Sequence, residues 1–400
     1  ASFDGHFNDD YAPHLYVSED YGATWQPIAH GLPTSVHVVR EDPQNANFLV
    51  AGTEEGVYAS WDRGQNWTAL NTNLPSVPVY DIVYAAGGHA LVLGTHGRGL
   101  WVLDDTAPLL SLGKAAAAGA PALFPIAAAH RRTTYSPQSW FGWGEFFAPN
   151  PPAGAVIAYW LPQAAKGKAA ITVRDASGQE VAHFEGSAGA GLNRAVWDLH
   201  RAPALAAPAG RGGFRFQASG PWVAPGAYTA EVAVSGAAPL RGSIEVTADP
   251  ESPLDAAGRK QRAAEVMSAY RLEQQWAPAQ AALEQWGKQL EAMRAYATAL
   301  GEGGKTALAA VTRAEGALRA PAAGFNRVLA QVSGAERGMD GYEGLPTAEQ
   351  SAELEAAWKA APAAVQALNR FASEALPAAE AALAGKRWPA RAPLAIPRQP

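Results

Sequence analysis

Residues 18–25 read S-E-D-Y-G-A-T-W and residues 60–67 read S-W-D-R-G-Q-N-W, so the pattern S-x-D-x-G-x-x-W returns after 42 residues. Both copies lie between short segments of alternating hydrophobic residues. A repeat period of about 40–45 residues is typical of β-propellers, in which each repeat forms one four-stranded blade. Because a closed propeller has ~4–8 blades, two copies of the motif predict an incomplete ring.

The segment 1–108 is predicted to hold nine strands, which amount to half a blade, a whole blade and three-quarters of a third. Residues 123–126 are predicted to supply the missing strand of the last blade. Exposed strand edges are expected at 13–18 and in the last blade, where another chain or an upstream part of the same gene product would pair. The predicted strands are Leu15–Ser18, Trp25–Ile28, Val36–Arg40, Phe48–Gly52, Val57–Ser60, Trp67–Leu70, Val79–Tyr84, Ala90–Gly94 and Leu100–Leu103.

The remainder of the chain divides by its hydrophobic period. Residues 109–152 form a connector, and 153–250 contain six alternating segments at the spacing of a β-sandwich. Residues 251–386 place apolar side chains at steps of four and three, which predicts three helices in a bundle, joined by glycine-rich turns at 301–304 and 334–344. Residues 387–400 are expected to be an extended tail. The fold class is therefore a multidomain β-plus-α protein.

Prolines and tryptophans refine the prediction for the helical segment. The tryptophans at 276, 286 and 358 lie on the apolar seam and are expected in the core. Four prolines, each lacking a backbone N–H, are expected to kink or break the helices. They are Pro278, Pro321, Pro362 and Pro377.

Composition excludes several classes of protein. The 400 residues carry a net charge of −6, which argues against a nucleic-acid partner because no basic stripe is present to neutralise phosphates. No run of apolar residues approaches the length of a membrane span. The chain has no cysteine, so disulfides are excluded. It begins A-S-F-D-G-H, within a repeat, and is therefore expected to be part of something longer.

The repeated motif has a structural and a catalytic interpretation. In the structural one, Ser and Asp accept backbone N–H groups in a tight turn, Gly takes a positive φ, and Trp packs on a neighbouring strand. In the catalytic one, Asp20 and Asp62 would be active-site carboxylates. Equivalent positions in successive repeats favour the structural role. The residues concerned are Ser18, Asp20, Gly22, Trp25, Ser60, Asp62, Gly64 and Trp67.

Six of the nine histidines lie in the first 96 residues, and the densest polar cluster is at 4–10. Asp4, His6, Asp9 and Asp10 there could serve acid–base chemistry or ligand binding, or could form a hydrogen-bonded loop that caps a blade. Glycoside cleavage needs two carboxylates about 5–10 Å apart, and these aspartates, together with Glu54 and Glu55, are the acids on plausible rim loops. Their spacing matches no metal-ligand pattern, so no metal site is predicted.

Two further groups have alternative interpretations. His96 and Arg98 lie in a glycine-rich loop, where Arg98 would bind a ligand carboxylate or sugar hydroxyl, or else pair with a neighbouring acid. The aromatic run at 140–147 would stack on sugar rings or pack between domains.

The two motifs resemble those of bacterial neuraminidase-repeat, or Asp-box, propellers, a superfamily with sialidases, xyloglucanases and sortilin-type receptors. The whole chain is similar to the C-terminal portion of large exported proteins of the glycosyl-hydrolase or sortilin-like type. The stretches at 191–199 and 225–229 resemble the immunoglobulin-like module of flagellar hook caps. The other stretches that carry the resemblance are 3–13, 41–49, 94–105 and 123–126.

This resemblance implies a periplasmic, cell-surface or secreted protein that binds or cleaves a polysaccharide or glycoconjugate at the propeller face, with no cofactor. Part of the site would lie on missing propeller blades. One alternative is a non-enzymatic, sortilin-like module that binds a peptide or protein. Another is a structural subunit of a surface assembly, which would oligomerise through its helical tail. No motif of the resembled xyloglucanases matches here, so no catalytic position is carried over from them.

Overall fold

The computed structural model describes residues 1–71, 73–85, 87, 89–131, 144, 148, 150–205, 219–383 and 386–399. The protein is a mixed β and α structure. Three antiparallel sheets come first, then a short helix, then two further sheets with a shared core, and finally four helices.

The first three sheets contain three, four and three strands, each adding to the next in chain order. Their first strands lie side by side, with the first strand of the second sheet in contact with its counterparts on both sides. The strands are β1 (Ser2–Gly5), β2 (Asp10–Val17), β3 (Gln26–Pro27), β4 (Val36–Asp42), β5 (Asn45–Thr53), β6 (Gly56–Ser60), β7 (Thr68–Ala69), β8 (Val79–Ala85), β9 (Ala90–Thr95) and β10 (Leu100–Leu103).

The first sheet corrects the prediction of half a blade. The sequence analysis missed β1, which pairs with β2 in the register Phe3 to His14. The segment 13–18 is therefore in the middle of a three-stranded sheet rather than at an exposed edge. Polar residues in β1 hid its strand character, because the sheet leaves that face open to solvent.

The third sheet is not completed by residues 123–126, contrary to prediction. Strand β11 (Ala122–Leu123) instead pairs with β13 in a later sheet. Within the described residues, β10 has a strand neighbour on one side only. The connector before β11 forms helix α1 (Ala107–Ala118), which the sequence analysis also missed.

The centre of the second sheet is buried on both faces because the first and third sheets pack against it. Residues 48–53 of β5 are all buried. Gly52 is required there, since a Cβ atom would lie 2.5 Å from the carbonyl oxygen of Val79. The three sheets thus form one tightly packed fan.

The middle region contains the six predicted strands and two short additional ones. Strands β11, β13 and β16 form one sheet, and the other has the order β12, β18, β17, β14, β15. The two sheets share a single core in which Trp197 packs against Tyr228. The strands are β12 (Ala129–His130), β13 (Ala155–Leu161), β14 (Ala169–Asp175), β15 (Glu180–Gly186), β16 (Gly191–Trp197), β17 (Gly226–Ala233) and β18 (Leu240–Thr247).

Four helices follow, and their seam of apolar residues forms one core that includes Trp276, Trp286 and Trp358, as predicted. Three prolines lie inside helices that continue through them, so the predicted breaks are wrong. Burial of the apolar faces offsets the ~3 kcal/mol cost of an internal proline. The helices are α2 (Ala256–Ala299), α3 (Lys305–Asp340), α4 (Ala348–Arg370) and α5 (Leu376–Ala381), with a π-helical turn at Phe371–Ala375 before α5.

The predicted second turn is also shorter than expected. Gly334 lies inside α3, which ends at Asp340. The tail from residue 386 has no regular secondary structure, and its Trp388 and Leu394 pack on the helical core. Among the described residues, no helix has the length and apolar character needed to cross a bilayer.

Candidate functional site

The two S-x-D-x-G-x-x-W motifs, which we call boxes, form equivalent hydrogen-bonded turns. In the first, Ser18 Oγ accepts from the Gly22 N–H, and Asp20 accepts from the backbone and hydroxyl of Thr24. In the second, Ser60 Oγ accepts from the Gly64 N–H. Asp62 there accepts from the backbone and side-chain amide of Asn66. Both glycines have positive φ, of 92° and 88°. These contacts match the structural interpretation of the boxes.

Electrostatics agrees with this interpretation. Hydrogen bonds from Thr24 and Ser18 lower the pKa of Asp20 to about 2. Burial alone would raise the pKa of Asp62, but its bonds from Asn66 and Ser60 lower it below 3.8. Both carboxylates therefore stay ionised and occupied by local donors at neutral pH, and neither has the raised pKa of a general acid.

The two box tryptophans differ in environment. Trp67 packs against the first sheet and donates from Nε1 to the carbonyl oxygen of Ile28 at 2.7 Å. Trp25 remains 51% exposed and bonds only to Gly22 of its own turn. The prediction that Trp25 packs its ring on a neighbouring strand is wrong for this chain, because the described residues contain no sheet on that side.

A cluster of ionisable side chains lies where β1, β4 and β8 meet, and we call it the inner-strand cluster. Its centre is His37, whose side chain is only 5% exposed. Asp4 Oδ2 lies 2.7 Å from His6 Nδ1 and 3.0 Å from His37 Nδ1. Glu54 Oε1 lies 3.4 Å from the other ring nitrogen of His37. His37 Nε2 is buried and makes no aligned hydrogen bond with any of the described residues.

Aromatic contacts extend the cluster to the third sheet. The ring of Tyr80 is edge-on to His37 at 4.5 Å and to His96 at 5.5 Å. His6 also contacts His37 edge-on at 6.2 Å. The inner-strand cluster therefore comprises Asp4, His6, His37, Glu54, Tyr80 and His96.

The repeat positions most of these side chains. Val36 pairs with Thr53 in the second sheet, and Val79 pairs with Thr95 in the third. His37 and Tyr80 therefore occupy equivalent positions, as do Glu54 and His96. The Glu54 and His96 N–H groups each donate back to the segment before the inner strand, at Ser35 and Pro78.

The charge state of Asp4 fits this environment. Burial alone would raise its pKa, but hydrogen bonds from His6 and the nearby His37 imidazole lower the pKa of Asp4 below 3.8. An ionised Asp4 beside an imidazole, with the Glu54 carboxyl group on the other side of the ring, can accept hydrogen bonds from hydroxyl groups. Among the described residues, no group of His, Asp and Glu has the arrangement needed to hold a metal ion.

The other predicted candidates lie outside this cluster. Asp10 pairs with His14 at 2.7 Å, and Asp9 ends a single helical turn with a positive φ of 59°. Arg98 is exposed and has no ion-pair partner among the described residues, so the predicted salt bridge does not form there. The aromatic run at Trp140, Phe141, Trp143, Phe146 and Phe147 lies outside the described residues.

Sequence reasoning missed His37, the buried centre of the cluster, because it is a single polar residue within an apolar strand. The parallel between G52-T-E54 and G94-T-H96 could have located Glu54 and His96 together. No protein-family model matches this chain, and a search of curated proteins found no relative.

Proposed function

We propose that this chain is the C-terminal part of an exported, glycoside-hydrolase-like Asp-box propeller protein whose inner-strand cluster binds a polysaccharide or glycoconjugate. The observation that supports it best is the placing of Asp4 and Glu54 on the two ring nitrogens of His37. Carboxylates that border a polar, aromatic-lined site are the groups that bind sugar hydroxyls. They are also the groups that a glycosidase uses as acid and base.

The architecture in this proposal goes beyond the sheets themselves. The three N-terminal sheets would be consecutive propeller blades, and the two-sheet region would be an immunoglobulin-like sandwich. Support comes from the equivalent box turns and from the side-by-side first strands. Further blades, from another part of the gene product or from another chain, would complete the ring and part of the site.

If the protein is an enzyme, the assignment of its carboxylates changes from the sequence-based one. Asp4 stays a candidate, and Glu54 replaces Asp9 and Asp10, which lie outside the cluster. His37 would be a positioning residue between them. If the reaction needs a carboxylate in addition to those of the cluster, a residue on a further blade would supply it.

A peptide-binding, sortilin-like function is the second candidate, and Arg98 favours it. Its exposed guanidinium, with no ion-pair partner among the described residues, fits a peptide carboxylate. The third candidate, a surface subunit that assembles through the helices, has less support. Within the described helices, no stripe of exposed large hydrophobic side chains is present.

Substitution at the cluster tests the glycan proposal in the full chain. We expect Asp4→Asn and Glu54→Gln each to weaken binding to a polysaccharide panel about tenfold, as loss of a charged hydrogen-bond acceptor implies. Binding is measured by affinity electrophoresis, and release of reducing ends is measured in parallel.

Asp10→Asn is the matched control, because it alters an aspartate–histidine pair of the same length outside the cluster. Binding by that variant should equal the wild type. Equal binding by Asp4→Asn and Asp10→Asn would contradict the proposal. Capture of C-terminal peptides that is lost in Arg98→Ala would favour the second candidate.

A further inference from the structure

A second candidate binding site, separate from the inner-strand cluster, is a groove of about 500 Å³. Three parts of the chain border it: the outer strand of the second sheet, helix α1, and the sheet that contains β13 and β16. Its volume lies in the ~300–1,000 Å³ range of small-molecule sites, and such sites favour junctions between folded units. None of the cluster residues lines it.

Two indole rings, Trp61 and Trp160, form part of the groove wall. Trp61 is held in place, since its Nε1 donates to the Leu109 carbonyl at 2.6 Å and its ring packs on Phe48 at 5.6 Å. Helix α1 approaches closely because Gly113 has no side chain; a Cβ atom there would lie 2.5 Å from Trp61. The aromatic wall is therefore pre-formed.

The polar part of the lining holds one carboxylate and no cationic side chain among the described residues. Asp62 is the one ionisable group among the described lining residues, and its carboxylate already accepts from Ser60 and Asn66. The side-chain amide oxygen of Asn66 and the Thr68 hydroxyl can each take part in a hydrogen bond with a ligand. The indole N–H of Trp160 is buried and has no acceptor in the part of the chain that the structure describes.

We propose that this groove binds a neutral pyranose unit of a mono- or disaccharide. A pyranose has an apolar face that stacks on indole and an edge of hydroxyls that match Asn66 and Thr68. An anion would meet the Asp62 carboxylate without a compensating cation. A wholly apolar ligand would leave the polar groups unpaired, which costs binding energy.

Fluorine NMR on the full chain labelled with 5-fluorotryptophan tests the proposal, with maltose and cellobiose as probes. Trp160→Phe and Trp61→Phe assign the two resonances. We expect both resonances to shift saturably with saccharide. Thr68→Val should weaken the apparent affinity about three- to tenfold, as one lost hydrogen bond implies. Thr229→Val, which alters an exposed threonine on β17, should leave the apparent affinity unchanged.

The proposal is overturned if neither saccharide shifts the two resonances, or if Thr68→Val and Thr229→Val behave alike. Saturation by indole in place of saccharides would also overturn it and would indicate an apolar site. This inference does not depend on the proposed function of the inner-strand cluster. Asp4→Asn should leave the titration unchanged, so the two proposals can fail separately.

Discussion

Two buried glutamates face each other across helices α2 and α3. Glu273 and Glu336 are both buried, and Ser333 Oγ donates to Glu273 Oε1 at 2.5 Å. Burial, together with the neighbouring charges of Glu273 and Asp340, raises the pKa of Glu336 well above 4.5, although nearby Arg337 opposes the shift. Glu336 therefore carries a proton at neutral pH.

This pair predicts that the helices lose stability as the pH rises. The pKa of Glu336 is higher in the folded protein than in the unfolded protein, so its protonation stabilises the folded state. This stabilisation is fully present below pH 4.5 and is lost as the pH rises through the folded pKa. The free energy of unfolding changes by at most about 1.4 kcal/mol per pH unit through this group. Glu336→Gln should flatten the dependence and stabilise the protein at alkaline pH, as measured by urea unfolding followed by circular dichroism.

Glu284→Gln, which alters an exposed glutamate on the same helix as Glu273, is the control and should keep the wild-type slope. An identical pH dependence in wild type and Glu336→Gln would show that the pair does not hold a proton.

At the scale of the elements, the box at 60–67 joins the second sheet to the first. Trp67 donates to the Ile28 carbonyl, and Gly64 lies so close to Ile28 that a Cβ atom would approach it to 2.9 Å. Trp25 has the same place in its own box but remains half-exposed. The turn is formed by hydrogen bonds among its own residues, whereas its tryptophan is buried only where a neighbouring sheet packs against it.

The tryptophans therefore predict unequal effects of one substitution. Trp67→Phe removes a buried hydrogen bond and leaves the Ile28 carbonyl without its donor, which costs about 1–3 kcal/mol. Trp25→Phe, at the exposed site, should cost less than about 0.5 kcal/mol. Thermal unfolding of the two variants measures the difference. Equal destabilisation would mean that the contact between the sheets contributes nothing specific.

Local patterns decided how much of these elements could be predicted. The spacing of apolar residues directly predicts the period-two strands, the six strands of the middle region and the helical seam. The sequence analysis missed β1 and α1, because polar residues in β1 and the alanine-rich composition of α1 carry no clear period. The prediction that prolines break the helices was wrong because tertiary packing outweighs the local free-energy cost of each proline. The spacing of residues does not reveal that packing. His37 was missed for the same reason, since burial at a junction of three sheets is not a local property.

At the scale of the whole molecule, the middle region and the helices are joined by charged contacts. Asp340 at the end of α3 accepts from the Trp222 N–H at 3.0 Å, and Arg131 donates to the Asp340 carbonyl oxygen. Arg131 pairs with Glu343 at 2.9 Å. The partly buried Arg131 and the Trp222 N–H thus fix the helices against the β region through several bonds at once, so we expect the two to move together.

The fan of three sheets, in contrast, has unpaired apolar surface at its last sheet. Leu100 and Val102 on β10 are 76% and 58% exposed, and they lie on a strand with one described neighbour. Exposed strand edges with apolar side chains pair with other polypeptides. We therefore predict that the chain on its own self-associates through this edge, as measured by sedimentation velocity over a range of concentrations.

Leu100→Lys combined with Val102→Lys should weaken this association at least tenfold, or about 1.4 kcal/mol, because lysine on an edge strand opposes pairing. The control is Leu192→Lys combined with Val196→Lys, which alters two exposed apolar residues of β16. If β10 is the edge that further blades normally cover, self-association uses β10 and not β16. The control variant should then associate as strongly as the wild type does. A monomer at every concentration would show instead that the fan is stable with its edge open, and the proposal of missing blades would lose its main physical support.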